Sequence, residues 1–168
     1  MMADTQTIHG LDDVLAKLKA LPPEIVSKRG GPVRKALRKG AMVIVNEWKA
    51  QVQRVIDEPN VNAEPEQSTG LLKSSIGATL DSKPQRHGAN ERYVVRPRNR
   101  KYPNTGKHVV TTAQVARLLE YGTEKMAAHP WAVPGYMASR QRALDTVVRE
   151  LNLGIDLIVK KLSKQRLA

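Results

Sequence analysis

Hydrophobic residues recur at intervals of three and four along much of this chain, and that spacing predicts helices. A short amphipathic helix is predicted over residues 10–21, where Pro22 stops it. A helix of roughly six turns is predicted over residues 33–55, and a second short one over Thr112–Tyr121, where Gly122 is placed to end it. Helices therefore dominate the predicted fold.

The C-terminal part of the chain carries the longest predicted helix, which begins near Gly135. Its heptad-like stripe covers about 25 residues and about 40 Å, more than a compact domain of this size needs. We expect part of this helix to pack on the 33–55 helix, and its apolar stripe to form a subunit interface. The apolar members are Met137, Leu144, Val148, Leu151, Ile155, Ile158 and Leu162, with Gln141 as the polar exception.

A small sheet is predicted between the helices. Residues 71–80 combine a helical turn with strand-forming residues, and residues 92–96 form the best short strand in the chain. The predicted fold class is α+β, a small antiparallel sheet packed against a long central helix and a long C-terminal helix. We expect a single domain over residues 1–168, with an exposed linker at residues 57–69, where prolines, asparagines and glutamates replace large apolar residues.

Composition narrows the class of protein. Cysteine is absent, which excludes a disulfide framework, a thiolate zinc site and a cysteine nucleophile, and fits a reducing cytosol. Residues 1–10 lack a basic region followed by an apolar run, and no apolar stretch approaches the roughly 20 residues that span a bilayer. We therefore expect a soluble protein with no signal peptide and no membrane partner.

The formal net charge of +12 indicates an anionic partner. Much of the excess lies in and before a predicted basic loop at residues 96–108, where Tyr93 and Tyr102 stand among the arginines and could stack on bases. Nucleic acid and an acidic neighbouring subunit both remain open as partners, and charge alone does not choose between them. The predicted basic contact surface consists of Arg86, Arg92, Arg96, Arg98, Arg100, Lys101 and Lys107, with Glu91 as their counter-charge.

No residue pattern typical of catalysis is found. The four histidines are dispersed, and the acidic pair Asp12-Asp13 fits the first turn of a helix. Glu64 and Glu66 fall in the predicted linker rather than in an acid-base pair. No glycine loop precedes a Lys-Ser or Lys-Thr pair, and no nucleophile-elbow pattern surrounds a serine. We therefore predict no catalytic residue, no metal ion and no cofactor.

Two short motifs, taken in order, carry a family resemblance. The first is Thr69-Gly70-Leu71, followed by Ser74, Ser75 and Ile76; the second is Glu120-Tyr121-Gly122-Thr123, followed by His129, Pro130, Trp131 and Pro134. With an early short helix and a long basic helix before them, this order resembles the phage tail-component family named after gene product ten of a lambda-like coliphage. The resemblance covers most of the chain, but the linker at 57–69 is longer and residues 96–107 form a basic insertion.

The resemblance implies a structural virion protein, a tail-completion or head-tail joining subunit of a siphophage, assembled in the host cytoplasm. It implies a closed homo-oligomeric ring, expected to be a hexamer, at the neck or the top of the tail. The expected neighbours are head-closure, tail-terminator, tail-tube or tape-measure proteins, with nonspecific contact to DNA in the channel as a further expectation.

Two other functions stay open. A basic DNA-binding protein, whether a phage regulator or a nucleoid-type factor, is favoured by the net charge of +12 and by the arginines between residues 86 and 107. A tail-associated hydrolase is the second alternative, against which the lack of a paired acid and base in the sequence argues.

Overall fold

The computed structural model describes residues 31–57, 69–103 and 108–166, with side chains in the last helix as far as Ile158 and at Lys160. Several sequence predictions lie outside these residues. They are the helix over residues 10–21, residues 58–68 of the linker, Lys107 of the basic surface and the side chain of Leu162.

Four helices, two strands and a 3-10 turn at Pro84–His87 make up the described part of the chain. In chain order the elements are α1 (Pro32–Asp57), α2 (Leu71–Ser75), β1 (Ile76–Leu80), β2 (Tyr93–Pro97), α3 (Thr112–Tyr121) and α4 (Ala132–Arg166). The strands form a two-stranded antiparallel sheet. The predicted α+β class is confirmed, with α1 as the long central helix and α4 as the long C-terminal one.

The observed element boundaries follow local chemistry. α3 begins with a reciprocal cap, in which Thr111 accepts from the backbone of Gln114 and the Gln114 side chain accepts from the backbone of Thr111. α4 begins at Ala132, three residues before the predicted start at Gly135. The reason is Pro134, which is tolerated in a first helical turn because no intrahelical bond needs its missing N–H.

Residues Ala41–Arg140 form one compact unit, which contains the sheet and the main apolar core. The core draws its buried side chains from α1, α2, β1, α3 and the residue before α4, and no phenylalanine is available to fill it. Its buried members are Val45, Val52, Leu72, Ile76, Ala116 and Trp131. Burying aliphatic side chains of this size contributes about 1.5–3 kcal/mol each.

The strand register divides the sheet into two faces. Ala78 lies opposite Val95, and both pack on the core. Because side chains alternate along a strand, the other pair in the middle of the sheet, Gly77 and Arg96, points to the opposite face. We call this second face the outer face.

The described residues 31–40 and 141–166 belong to the second compact unit, in which two helical segments approach closely. A Cβ atom at Gly40 would overlap the Val147 side chain and lie 2.9 Å from the carbonyl oxygen of Ala143. A Cβ at Gly154 would likewise overlap Pro32. The ammonium of Lys39 donates to Glu150 across 2.6 Å, an exposed pair that adds little stability by itself.

Close packing at small residues explains which side of α4 is buried. The most buried positions are Gly135, Ser139, Ala143 and Leu151, a line of mostly small residues at intervals of four and eight. Of the predicted interface stripe, Leu151 is covered within the chain, the described residues Leu144, Val148, Ile155 and Ile158 are half-buried, and Met137 is exposed. The buried line of α4 lies beside the predicted apolar stripe and does not coincide with it. Glycine, serine and alanine allow close contact, but they add nothing to the hydrophobic periodicity on which the prediction is based.

Candidate functional site

The motif at residues 120–134 forms a junction between two helices. Glu120, in the last turn of α3, places its carboxylate at the start of α4. One oxygen accepts from the backbone N–H groups of Trp131 and Ala132, each at 2.8 Å, and the other accepts from Val133 at 3.0 Å. The negative charge also complements the positive end of the α4 dipole. We call this arrangement the Glu120 junction.

The free donors of the first α4 turn are fully accounted for by this junction. A helix leaves its first backbone N–H groups without intrahelical acceptors. Glu120 takes those of Trp131, Ala132 and Val133, Pro134 has none to offer, and Gly135 donates to the Trp131 carbonyl at 3.2 Å. Glu120 and Pro134 are far apart in the sequence. Both ensure that the first turn of α4 has no unpaired backbone N–H group.

The protonation of Glu120 reflects two opposing effects. Burial raises the pKa of this carboxyl, but the N–H donors of Ala132, Trp131 and Val133 together outweigh burial. The pKa of Glu120 therefore lies below its ordinary value of 4.5, and the carboxylate stays ionised at neutral pH.

Between Glu120 and Trp131 the chain turns back sharply. Gly122 adopts φ +72° and donates to the Leu118 carbonyl at 2.8 Å, as its predicted role in ending α3 requires. A side chain there would also lie 2.8 Å from the backbone of Ala128. Thr123 then pairs with Met126 in a tight turn, and the N–H of His129 returns to Leu119 at 2.7 Å.

Trp131 anchors the junction in the core. Its side chain is 2% exposed, and its indole N–H donates to the carbonyl of Ala116 at 3.2 Å. The ring meets Trp48 edge to face, with 5.3 Å between centroids. Pro130 and Pro134 flank it on the surface. The motif thus fixes α3, α4 and the core to one another.

Tyr121 is the most exposed large side chain of the motif. It is 76% exposed, and Leu118, one turn earlier on α3, is 43% exposed. On α4, Val133, Tyr136, Leu153 and Leu157 are also exposed, although none of them belongs to the predicted interface stripe. Periodicity missed these residues because it detects the side of a helix that is buried within its own chain.

The earlier motif, at Thr69, Gly70 and Leu71, shapes the start of α2. Gly70 adopts φ +65°, and the Thr69 hydroxyl accepts from the N–H of Leu71 at 3.3 Å. Ser75, four residues on, is buried and donates to Leu72 at 2.7 Å. This motif therefore has a local structural role as well.

The second candidate site is a group of cations on the outer face of the sheet. Arg96 lies on this face by register, and Arg98 lies over Gly77, where an added Cβ would be 3.8 Å from its guanidinium nitrogen. Arg100 follows two residues later, and all three side chains are exposed. We call these three residues the arginine row.

Backbone and side-chain bonds hold the arginine row in place. The N–H of Arg98 donates to Ser75 at 2.9 Å, which continues the pairing beyond β2. Thr112, fully buried at the start of α3, donates its hydroxyl to the Arg98 carbonyl at 2.6 Å and accepts from the Arg100 N–H at 3.0 Å. No pattern in the sequence indicates this role for Thr112, since a threonine near a helix start usually serves as a cap.

The other predicted basic residues are placed differently. Arg86 is exposed on the 3-10 turn, and Lys101 is exposed opposite Thr111. Arg92 donates to Asp81 at 3.1 Å, so Asp81 is a counter-charge that the sequence prediction overlooked in favour of Glu91. The backbone N–H of Lys83 and the guanidinium of Arg92 lower the pKa of Asp81.

The two tyrosines do not stand among the arginines. Tyr93 pairs with Leu80 in the register, which places it on the same side of β2 as Val95, towards the core. Tyr102 is half-buried, and burial raises the pKa of its hydroxyl despite a hydrogen bond from the backbone of Leu72. The expected stacking surface is therefore not formed by these residues.

Other chemistry was sought across the described ranges. Within them, no group of three or more His, Asp or Glu residues is arranged to hold a metal ion. No helix among the described residues is both long and apolar enough to cross a bilayer. In comparisons with protein-family models, curated proteins and solved structures, no match to this chain is found.

Proposed function

We propose that this chain is a structural virion protein of a tailed bacteriophage, a tail-completion or head-tail joining subunit rather than an enzyme. The Glu120 junction carries the proposal. The residues that bear the family resemblance cap a helix, turn the chain or fill the core, as Glu120, Gly122 and Trp131 do. Such roles suit a protein whose task is to present a rigid surface to other subunits.

A homo-oligomeric ring, expected to be a hexamer, is part of the proposal. Closed rings need two different surfaces on each subunit that meet on rotation. Exposed apolar residues supply candidates, since Leu153 and Leu157 lie one turn apart on α4 at 52% and 66% exposure. Tyr121 is a second candidate, because tyrosine is enriched in interfaces. Neighbours in the virion are head-closure, tail-terminator, tail-tube or tape-measure proteins.

Removal of the protein from the phage that encodes it tests the proposed role. An amber codon early in the gene should yield filled heads and separate tails, seen by electron microscopy in a non-suppressing host. Supplying the wild-type chain from a plasmid should restore joined particles. Normal virions without the chain would show that it is not a joining subunit.

The ring is tested separately on the purified chain by native mass spectrometry. The variant Leu153→Ser with Leu157→Ser should shift a hexamer towards smaller species while keeping its fold, because both side chains are already in solvent. The neighbouring exposed residue provides the control Asn152→Ser. An unchanged distribution of species in the leucine variant would remove this face from the interface.

A further inference from the structure

We infer that the arginine row, Arg96, Arg98 and Arg100, binds the phosphate backbone of DNA without reading its sequence. The first support is spacing. Every second residue of an extended strand advances about 6.6 Å, a step comparable with the separation of neighbouring phosphates along a nucleic-acid strand. Guanidinium groups present several N–H donors in a plane that matches phosphate oxygens.

The second support is that the row is built before any ligand arrives. Arg98 is held through its N–H by Ser75, and Thr112 binds both the Arg98 carbonyl and the Arg100 N–H. Binding therefore orders only the arginine side chains and not the backbone beneath them. Such preorganisation lowers the entropic cost of association.

The third support is unbalanced charge. Among the described residues, no carboxylate forms an ion pair with Arg96, Arg98 or Arg100. Asp81, the acidic residue next to the sheet, is already engaged by Arg92. All three cations in the row are exposed, so their charge is available to a partner.

The composition of the outer face favours nucleic acid over an acidic protein. Protein interfaces have an apolar centre from which charged residues are depleted, whereas DNA-binding surfaces are polar and strongly positive throughout. Here Arg96 lies opposite Gly77 and Arg98 lies over Gly77, and Val94 is the one large aliphatic residue of the paired strands that shares the face.

Sequence-independent binding follows from what accompanies the row. Tyr93 lies on the core side of β2 and Tyr102 is half-buried, so neither offers a ring for base stacking next to the arginines. Contacts to phosphate position a protein on DNA but carry no base information.

This inference adds a ligand to the proposed function, because DNA passes through the head-tail joint during ejection from a tailed phage. It rests on the proposed function only for the location in the virion at which this chain would contact DNA. Binding is measured on the isolated chain, and joining is measured in the virion. A chain that does not bind DNA would therefore overturn this inference but not the joining role, and normal joining without the chain would overturn the joining role but not DNA binding.

The test compares two variants of the full chain with equal loss of charge. The row variant carries Arg96→Gln, Arg98→Gln and Arg100→Gln. The control variant removes three exposed cations elsewhere, with Lys35→Gln, Arg38→Gln and Lys125→Gln. Circular dichroism and thermal unfolding establish that each folds. Affinity for two short DNA duplexes of unrelated sequence, and for a polyglutamate peptide, is then measured by fluorescence anisotropy over a range of salt concentrations.

We expect wild type to bind both duplexes equally and the row variant to bind them more than about tenfold more weakly. The slope of log K against log salt should fall by about 0.9 for each lost phosphate contact, or about 2.7 for the row variant, and much less for the control. The single variant Arg98→Gln, with a slope change of about 0.9, serves if the triple variant does not fold.

Two outcomes overturn the inference. Equal weakening by the row and control variants would assign binding to net charge alone. Tighter, row-dependent binding of polyglutamate than of DNA would assign the surface to an acidic protein partner.

Discussion

The carboxylate of Glu120 lies 2.8 Å from the backbone nitrogen of Trp131, and this contact joins the end of one helix to the start of another. The same oxygen and its neighbour also receive the N–H groups of Ala132 and Val133. One side chain in the last turn of α3 thus caps α4 and holds the backbone of the core tryptophan. Three of the predictions below concern this junction and the packing around it.

Two substitutions of Glu120 should destabilise the fold by different amounts. Glu120→Gln keeps one carbonyl oxygen for three donors and should lower the free energy of unfolding by about 1 kcal/mol, while Glu120→Ala leaves all three unpaired and should lower it by about 2 kcal/mol. Urea denaturation followed by far-UV circular dichroism measures both. The exposed neighbour Glu124→Gln is the control and should stay within about 0.5 kcal/mol of wild type. Equal midpoints for the two glutamine variants would contradict the capping role.

The junction should also lose stability in acid. The folded-state pKa of Glu120 lies below its ordinary value of 4.5, so the stabilisation is fully present above that value and is lost as pH falls through the folded-state pKa. The difference in unfolding free energy between wild type and Glu120→Gln should be constant above about pH 5 and shrink below it. Other carboxyls with lowered pKa, such as Asp81 and Glu150, cancel in this difference. A difference in unfolding free energy that does not change with pH would refute the stabilising role of the ionised Glu120 carboxylate.

Gly40 should not tolerate alanine, although alanine favours a helix by about 1 kcal/mol. The new methyl would overlap Val147 and lie 2.9 Å from the Ala143 carbonyl, so we expect a net loss of about 1 to 2 kcal/mol of unfolding free energy.

Two further variants separate packing from helix propensity at this position. The double variant Gly40→Ala with Val147→Ala should be less destabilised than the sum of the single variants, because the second change makes room for the first. Asn46→Ala, on an exposed side of α1, should be neutral or slightly stabilising. If Gly40→Ala stabilised the protein as Asn46→Ala does, the close approach would be refuted.

The two tryptophans should respond differently to phenylalanine. Trp131→Phe removes the hydrogen bond to the Ala116 carbonyl and leaves a cavity in the core, with an expected loss of about 2 to 4 kcal/mol. The Trp48 N–H is buried and, within the described part of the chain, has no hydrogen-bond partner. The loss of unfolding free energy in Trp48→Phe should therefore be smaller than that in Trp131→Phe by at least about 1 kcal/mol. Thermal unfolding of both variants decides the order, and the reverse order would contradict it.

Much of the secondary structure was predictable from the sequence because its causes are local. The apolar spacing over residues 33–55, the capping residues around Thr111 and the glycine after Tyr121 each act within a few residues. The alternation of arginines at positions 96, 98 and 100 was visible as well. The placement of Arg96 on the outer face needed only the register of two short strands, since a pleated strand alternates its side chains.

The candidate interface was harder to predict from the sequence. The predicted stripe includes Leu151, which the fold covers, and omits Leu153 and Leu157, which the fold exposes. Hydrophobic periodicity finds the buried side of a helix, and small residues such as Ser139 and Ala143 weaken even that indication. Two exposed leucines one turn apart are too few to give a periodic pattern of their own.

The sequence by itself determined where helices and strands form, where α3 ends and that the chain carries a large positive charge. Only the tertiary structure decided what Glu120 and Thr112 do. Each binds backbone groups eleven to fourteen residues away in the chain, across 2.6 to 3.0 Å. A hydrogen bond depends on distance and angle in space, and no local pattern of residues encodes which distant N–H group the fold will bring within reach.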